Sequence, residues 1–243
     1  MILFESFKHI ESICQELGIE NYTINNKGLV DIDGNVNLSN RYLDKLPINF
    51  GKVTGDFFCH NNQLTTLEGV PTEVGGKFYC SYNLLTSLDG GPTEVGSFFC
   101  HYNLLTTLEG SPIKVSGNFY CSYNKLRSLE GSPREVGGHF YCYSNQLTTL
   151  EGSPSKVGGG FYCYNNKLRT LKGISERIDG DLFIGGNPIN NIGILFKNTK
   201  QFLDLLNDYN FIYNDKIIKS RFEQACLEAG ITMPKTIKDY DII

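Results

Sequence analysis

No apolar run in these 243 residues approaches the roughly eighteen needed for a bilayer-spanning helix, so no membrane span is expected. The N-terminus carries Glu5 and Glu11 among its apolar residues and does not read as a signal peptide. Positive charge is not in excess: the net charge is -4 and the pI about 5.6, which gives no overall attraction for nucleic acid or an anionic membrane. Catalytic signatures are missing too. There is no P-loop, no G-x-S-x-G, no HExxH and no CxxC pair, so neither an enzyme nor a metal centre is expected, and no cofactor is implied. Eight cysteines would suit a secreted disulfide framework, but the chain lacks an export signal and is long enough to build a core. A cytoplasmic protein with reduced thiols is the expectation.

What the sequence does have is a repeat. Cys59, Cys80, Cys100, Cys121, Cys142 and Cys163 follow one another at intervals of 21, 20, 21, 21 and 21 residues. Each unit reads roughly G-x-F-[FY]-C-x-x-N-x-L-x-x-L-x-G-x-P-x-x-V-G. Asn62, Asn83, Asn103, Asn124, Asn145 and Asn166 are fixed in it, as are two leucines such as Leu126 and Leu129. A weaker unit precedes at Val36, Leu38, Leu43 and Leu46, and another follows at Leu182, Ile184 and Asn187. A fixed period of this length announces a solenoid, in which each coil buries its apolar face only against its neighbours.

Within a unit, Phe119 and Cys121 are two residues apart and share one face of a strand. Both suit an interior, cysteine behaving there as a small hydrophobe. Leu126, Leu129 and Val136 complete the apolar set, and the Asn124 amide is placed to bond the backbone of neighbouring coils. The cysteine therefore recurs because the coil recurs. Six interchangeable thiols do not make one catalytic nucleophile.

These residues resemble leucine-rich repeats: F-x-C-x-x-N-x-L matches L-x-L-x-x-N-x-L from about Gly55 to Ile192, with Phe and Cys in place of the two strand leucines. Segments such as EGSPREVGG hold too much Gly and Pro for a helix. The resemblance is therefore to the short, about 21-residue, bacterial type. It implies a horseshoe with a parallel β-sheet on the concave face and an extended convex side. The whole chain also looks like repeat proteins of tailed bacteriophages.

The domain reading is an N-terminal cap over 1–33, repeats over 34–192, and a C-terminal helical cap and tail over 193–243. Leu3, Phe7, Ile10, Cys14 and Leu17 form a helical stripe, followed by short strands joined at Asn26-Lys27-Gly28. DIDGN at Asp31 reads as a turn, the remaining ligands of a calcium loop being missing. Two C-terminal helices are expected, starting at Asn198 or Thr199 and at Asn214, the second ending at Gly230.

The residue between Phe and Cys points away from the core, and it is aromatic every time: Phe58, Tyr79, Phe99, Tyr120, Tyr141, Tyr162 and then Phe183. Tyr120 is expected to face water. Two readings of the stripe stand. Aromatic residues have high β-propensity and stack well in a parallel ladder; alternatively, an exposed aromatic stripe is a binding surface. His60, Ser81, His101, Ser122, Tyr143 and Tyr164 follow the cysteines, and Asn61, Tyr82, Tyr102, Tyr123, Ser144 and Asn165 come next, varying as a specificity surface would. From Gly55 to Ser175 there are nine basic and nine acidic residues. A neutral stretch argues against single-stranded nucleic acid, which needs a basic groove beside its aromatics. Glu68, Asp89, Glu109, Glu130 and Glu151 form an acidic column, while Leu84 and Leu104 give way to Lys125, Arg127, Lys167 and Arg169 along one flank. The leading expectation is a non-enzymatic module that binds a protein partner. A small-molecule (nucleotide or sugar) sequestering protein and a virion or assembly component are the alternatives.

Overall fold

The computed structural model describes residues 2–193, 195, 199–213, 216–238 and 240–243. The repeats wind into a β-solenoid whose coils pair as parallel strands in one 15-stranded sheet, with an antiparallel pair, Tyr22–Ile24 on Val30–Ile32, at its start. Two registers run through it. In the first, Val36, Phe57, Phe78, Phe98, Phe119, Phe140, Phe161 and Leu182 are successive partners. In the second, Val53, Val74, Val95, Val115, Val136, Val157 and Ile178 are.

The sequence reading did not join these registers. Glu73–Tyr79 and Glu94–Phe99 are continuous strands that carry both. The link is glycine, and the reason is steric. A Cβ on Gly137 would stand 2.2 Å from the Ser116 carbonyl oxygen of the preceding coil. The link also absorbs the one 20-residue coil: the register shifts between Val74 and Lys77, so both columns stay in step on either side of a missing residue.

Val36, Leu38, Phe119, Cys121, Leu126, Leu129, Val136 and their equivalents are buried in one continuous core. Interior phenylalanines from Phe57 to Phe161 stack with ring centroids 5.1–5.6 Å apart. The asparagines do what the sequence suggested. Asn124 Nδ2 donates to Cys121 O at 3.1 Å in its own coil and to Cys100 O at 3.1 Å in the coil before, while its Oδ1 accepts from Leu105 N at 3.0 Å. The same set recurs at Asn83, Asn103, Asn145, Asn166 and Asn187.

All eight cysteines are free and buried. Cys59, Cys100 and Cys121 donate Sγ–H to the carbonyls of Tyr79, Tyr120 and Tyr141 at 3.2–3.4 Å. Burial pushes the six repeat thiols far up, Cys163 to about 12, so they are poor nucleophiles.

At the start of the chain, helix Ile2–Leu17 packs Ile10, Ile13, Cys14 and Leu17 onto the core. The parallel ladder begins at Val30, which pairs with Phe50. The C-terminal part holds more than the two expected helices. Helices Asn190–Gly193, Thr199–Tyr209 and Lys219–Ala229 accompany a three-stranded sheet of Ile212–Tyr213, Lys216–Ile217 and Asp241–Ile242. The helix expected from Asn214 starts later, because Lys216 and Ile217 pair as a strand instead. Gly230 does end it, at φ 69°. Asn198 and Asn214, read as start signals, lie outside the described residues. Among the described residues no helix is long and apolar enough to cross a membrane.

Phe119→Ala should empty a fully buried slot and cost about 3–5 kcal/mol. Asn124→Ala should cost about 2–3 kcal/mol by leaving buried carbonyls and an amide unpaired. Urea denaturation measures both; a loss under 1 kcal/mol for either would show that the coil does not depend on that side chain.

The thiols make stability fall at high pH. An unfolded thiol ionises near 8.5, whereas the folded one stays protonated well beyond. Their contribution is complete below that pH and is lost as pH rises, by about 1.4 kcal/mol per pH unit per thiol. Denaturation series from pH 8 to 11 should show this fall, and Cys121→Ala should reduce its slope; an unchanged slope would contradict a protonated interior thiol.

Candidate binding surface

Parallel pairing sets neighbouring coils about 4.8 Å apart, so any side chain repeated in the coil becomes a column. The outward aromatic residues form such a column. Phe58, Tyr79, Phe99, Tyr120, Tyr141, Tyr162 and Phe183 stack in order, with centroids 4.1–5.0 Å apart and planes within 8–18°. The sequence reading had Tyr120 facing water, and the structure corrects this. Its ring is half-buried because Phe99 covers one face and Tyr141 the other. Only the last ring, Phe183, is exposed, at 42%.

A second column lies beside it. Tyr82, Tyr102 and Tyr123 stack at 4.5 and 4.2 Å; Tyr123 meets Tyr143 edge-to-face at 5.4 Å; Tyr143 stacks on Tyr164 at 4.3 Å. The column stays continuous although its tyrosine moves from the second position after cysteine to the first. His101 ties the columns together, its ring within 5.6–6.4 Å of Tyr82, Phe99, Tyr102 and Tyr120. His60 packs on Phe58 and Tyr79. Burial lowers the pKa of both histidines, and their Nδ1 atoms have no hydrogen-bond partner among the described residues. Both are therefore neutral at pH 7. Ser81 and Ser122 occupy the same repeat position, each one coil after a histidine, and are buried.

The backbone beneath the second column is unusual. Asn40, Asn61, Tyr82, Tyr102, Tyr123, Ser144 and Asn165 all have φ of 53–58°, the left-handed region. Asparagine tolerates that conformation and tyrosine does not favour it. Three consecutive coils nevertheless place tyrosine there, and these rings are 39–50% exposed.

One ladder went unnoticed in the sequence. The residue before the inward Val36 or phenylalanine accepts from the backbone N–H one coil on: Asn35 from Asp56, Asp56 from Lys77, Ser97 from Asn118, Asn118 from His139, and His139 Nδ1 from Gly160, at 2.7–3.0 Å. The signal was the recurrence of acceptor side chains at one repeat position, interrupted at Lys77 and ending before Gly160. His139 also touches the rings of Tyr141 and Tyr162.

Desolvation by the surrounding rings pushes the hydroxyls of Tyr102, Tyr141 and Tyr164 up to about 12. They remain protonated donors at any physiological pH. The acidic column is exposed, its member Glu151 paired with Lys172 at 2.7 Å. Among the described residues no cluster of three His, Cys, Asp or Glu side chains fit for a metal ion occurs. Three clefts, of about 790, 530 and 640 Å³, are lined by no ring of either column. Comparison with protein-family models, with curated proteins and with solved structures finds no match to this chain.

Left-handed strain on a tyrosine costs about 1 kcal/mol, and one stacked neighbour contributes about 0.5–1.5 kcal/mol. The two terms nearly cancel at Tyr82. Tyr82→Asn should therefore change the unfolding free energy by less than about 1 kcal/mol; a loss above 2 kcal/mol in thermal or urea unfolding would make that ring a structural element.

Proposed function

We propose that this chain is a non-enzymatic binding module that recognises a protein partner through the aromatic face of its sheet. The observation that carries the proposal is tyrosine at the left-handed position in three successive coils. Asn61 and Asn165 indicate the residue the backbone favours there, and at Tyr82 the gain from stacking does no more than offset the strain. Strain retained at a surface is a mark of function. Tyrosine is also the side chain that supplies large, rigid contact area at interfaces.

The stacking geometry separates the alternatives. A nucleotide or sugar held by stacking needs a free ring face, and the interior rings of the first column give both faces to each other. What they offer outward is edges and hydroxyls over a long, open surface, which suits a protein better than a small molecule. On the leucine-rich-repeat reading this sheet is the concave face of a horseshoe of the short type, with the N- and C-terminal helical units closing the ends of its core. Likeness to bacteriophage repeat proteins makes a bacterial cytoplasm the setting and a host or defence component the target.

The test is capture from bacterial host lysate by immobilised wild type and by Tyr102→Asn/Tyr123→Asn. The wild type should retain a partner that the double variant, still cooperatively folded, loses. Identical recovery by both proteins would sink the proposal.

A further inference from the structure

The neutral charge count from Gly55 to Ser175 conceals a segregation. In each coil, the stretch from the inward Phe to the second Leu crosses the aromatic face and its flank. Across 57–67, 78–88, 98–108, 119–129, 140–150 and 161–171 it contains no Asp or Glu. Glu68, Asp89, Glu109, Glu130 and Glu151 begin at the next residue, where the chain turns away. The four cations within these stretches, Lys125, Arg127, Lys167 and Arg169, all fall in the later coils. The earlier coils place Leu84 and Leu104 at the lysine position.

Exposure gives this pattern its meaning. Lys125, Arg127 and Lys167 are exposed and belong to none of the ion pairs found among the described residues. Leu84 is 46% exposed beside Tyr82. The remaining polar groups on the face are uncharged: tyrosine hydroxyls, the amides of Asn61, Gln63, Gln146 and Asn165, and two histidines of lowered pKa. Ring edges carry the positive end of the aromatic quadrupole, and the hydroxyls of Tyr102, Tyr141 and Tyr164 are held protonated by desolvation. A ligand for this face supplies acceptors and negative charge at one end and apolar groups at the other.

We propose that the partner is an acidic protein segment lying along the solenoid axis, its apolar end over Tyr82, Leu84 and Tyr102 and its carboxylates over Lys125, Arg127 and Lys167. This rests on the protein-partner reading above. Four coil steps separate Leu84 from Lys167, roughly 19 Å, the reach of about six residues of extended chain. A nucleic acid would also supply negative charge, but the interior rings of the first column have no face left for its bases, and the cations cover only the later coils.

Three fluorescein-labelled probes test this by anisotropy on the intact chain: a twelve-residue peptide with a leucine-rich half and a glutamate half, its twin with lysine for glutamate, and an oligothymidylate. The acidic peptide should bind and weaken as salt rises. Lys125→Glu/Lys167→Glu should lower its affinity about tenfold or more, as should Tyr102→Asn/Tyr123→Asn. Equal binding of the lysine twin, tighter binding of oligothymidylate, no binding of the acidic peptide, or wild-type affinity in the lysine variant would each overturn the proposal. So would self-association abolished by Lys125→Glu/Lys167→Glu, which would make a second copy the occupant. Partner capture that needs Tyr102 and Tyr123 but not the lysines would leave the protein-binding function standing and remove the acidic partner alone.

Discussion

Each coil of this solenoid is fastened to the one before it by an asparagine amide. That amide closes its own turn through the cysteine carbonyl and reaches back to a carbonyl and an N–H of the preceding coil. Bonds of this kind contribute only about 1 kcal/mol each in net terms, but a buried amide or carbonyl left without one costs more. The contact therefore acts chiefly as a constraint. A coil that slipped by one residue would leave several buried groups unpaired and would turn its phenylalanine toward water. Asparagine thus fixes register, and register determines everything stacked above it.

Columns follow from register. Phenylalanine stacks on phenylalanine inside, and tyrosine or phenylalanine stacks on its like outside, at the same coil spacing. Inside, the result is a dry core of rings, leucines and protonated thiols. Outside, it is a paved surface whose interior rings no longer have free faces. Stacking that stabilises the sheet also limits what the surface can recognise, because contact passes to edges and hydroxyl groups. The aromatic stripe is both a β-stabilising ladder and a chemically defined face, and its two roles lie in different parts of the same ring.

Much of this was legible in the chain. Phe119, Cys121, Asn124, Leu126 and Leu129 could be assigned to the interior because period and alternation fix which way each points. The second register was harder to see. Glu135 and Val136 sit in a segment marked by Pro133 and by Gly137-Gly138, residues that usually break strands, and close approach between coils explains why glycine recurs in the link beside them. The half-burial of Tyr120 was hidden as well, since a single coil exposes that ring and only the stack covers it. The left-handed backbone at Tyr102 could not be read because tyrosine is a poor signal for it; Asn61 and Asn165 at the same repeat position were the available clue. At the C-terminal end the period stops, and with it the means of distinguishing a helix start at Asn214 from the strand at Lys216–Ile217.

A repeat that copies one coil should also copy its surface, so departures from the period carry the most information about binding. The interior varies little: Phe, Cys, Asn and Leu recur from Phe57 to Leu171 almost without change. Variation concentrates at the two positions after cysteine and at the one after asparagine, which together form the strip between the aromatic column and the flank. There His60 and His101 alternate with Ser81 and Ser122, tyrosine changes position between Tyr123 and Tyr143, and leucine gives way to lysine between Leu104 and Lys125. The phenylalanine, cysteine and leucine core is the same beneath all of these variants, although Ser81 and Ser122 are themselves covered. A gradient from apolar to cationic along a face without carboxylates gives a symmetric scaffold a direction, and a partner lying on it has one favourable orientation rather than two.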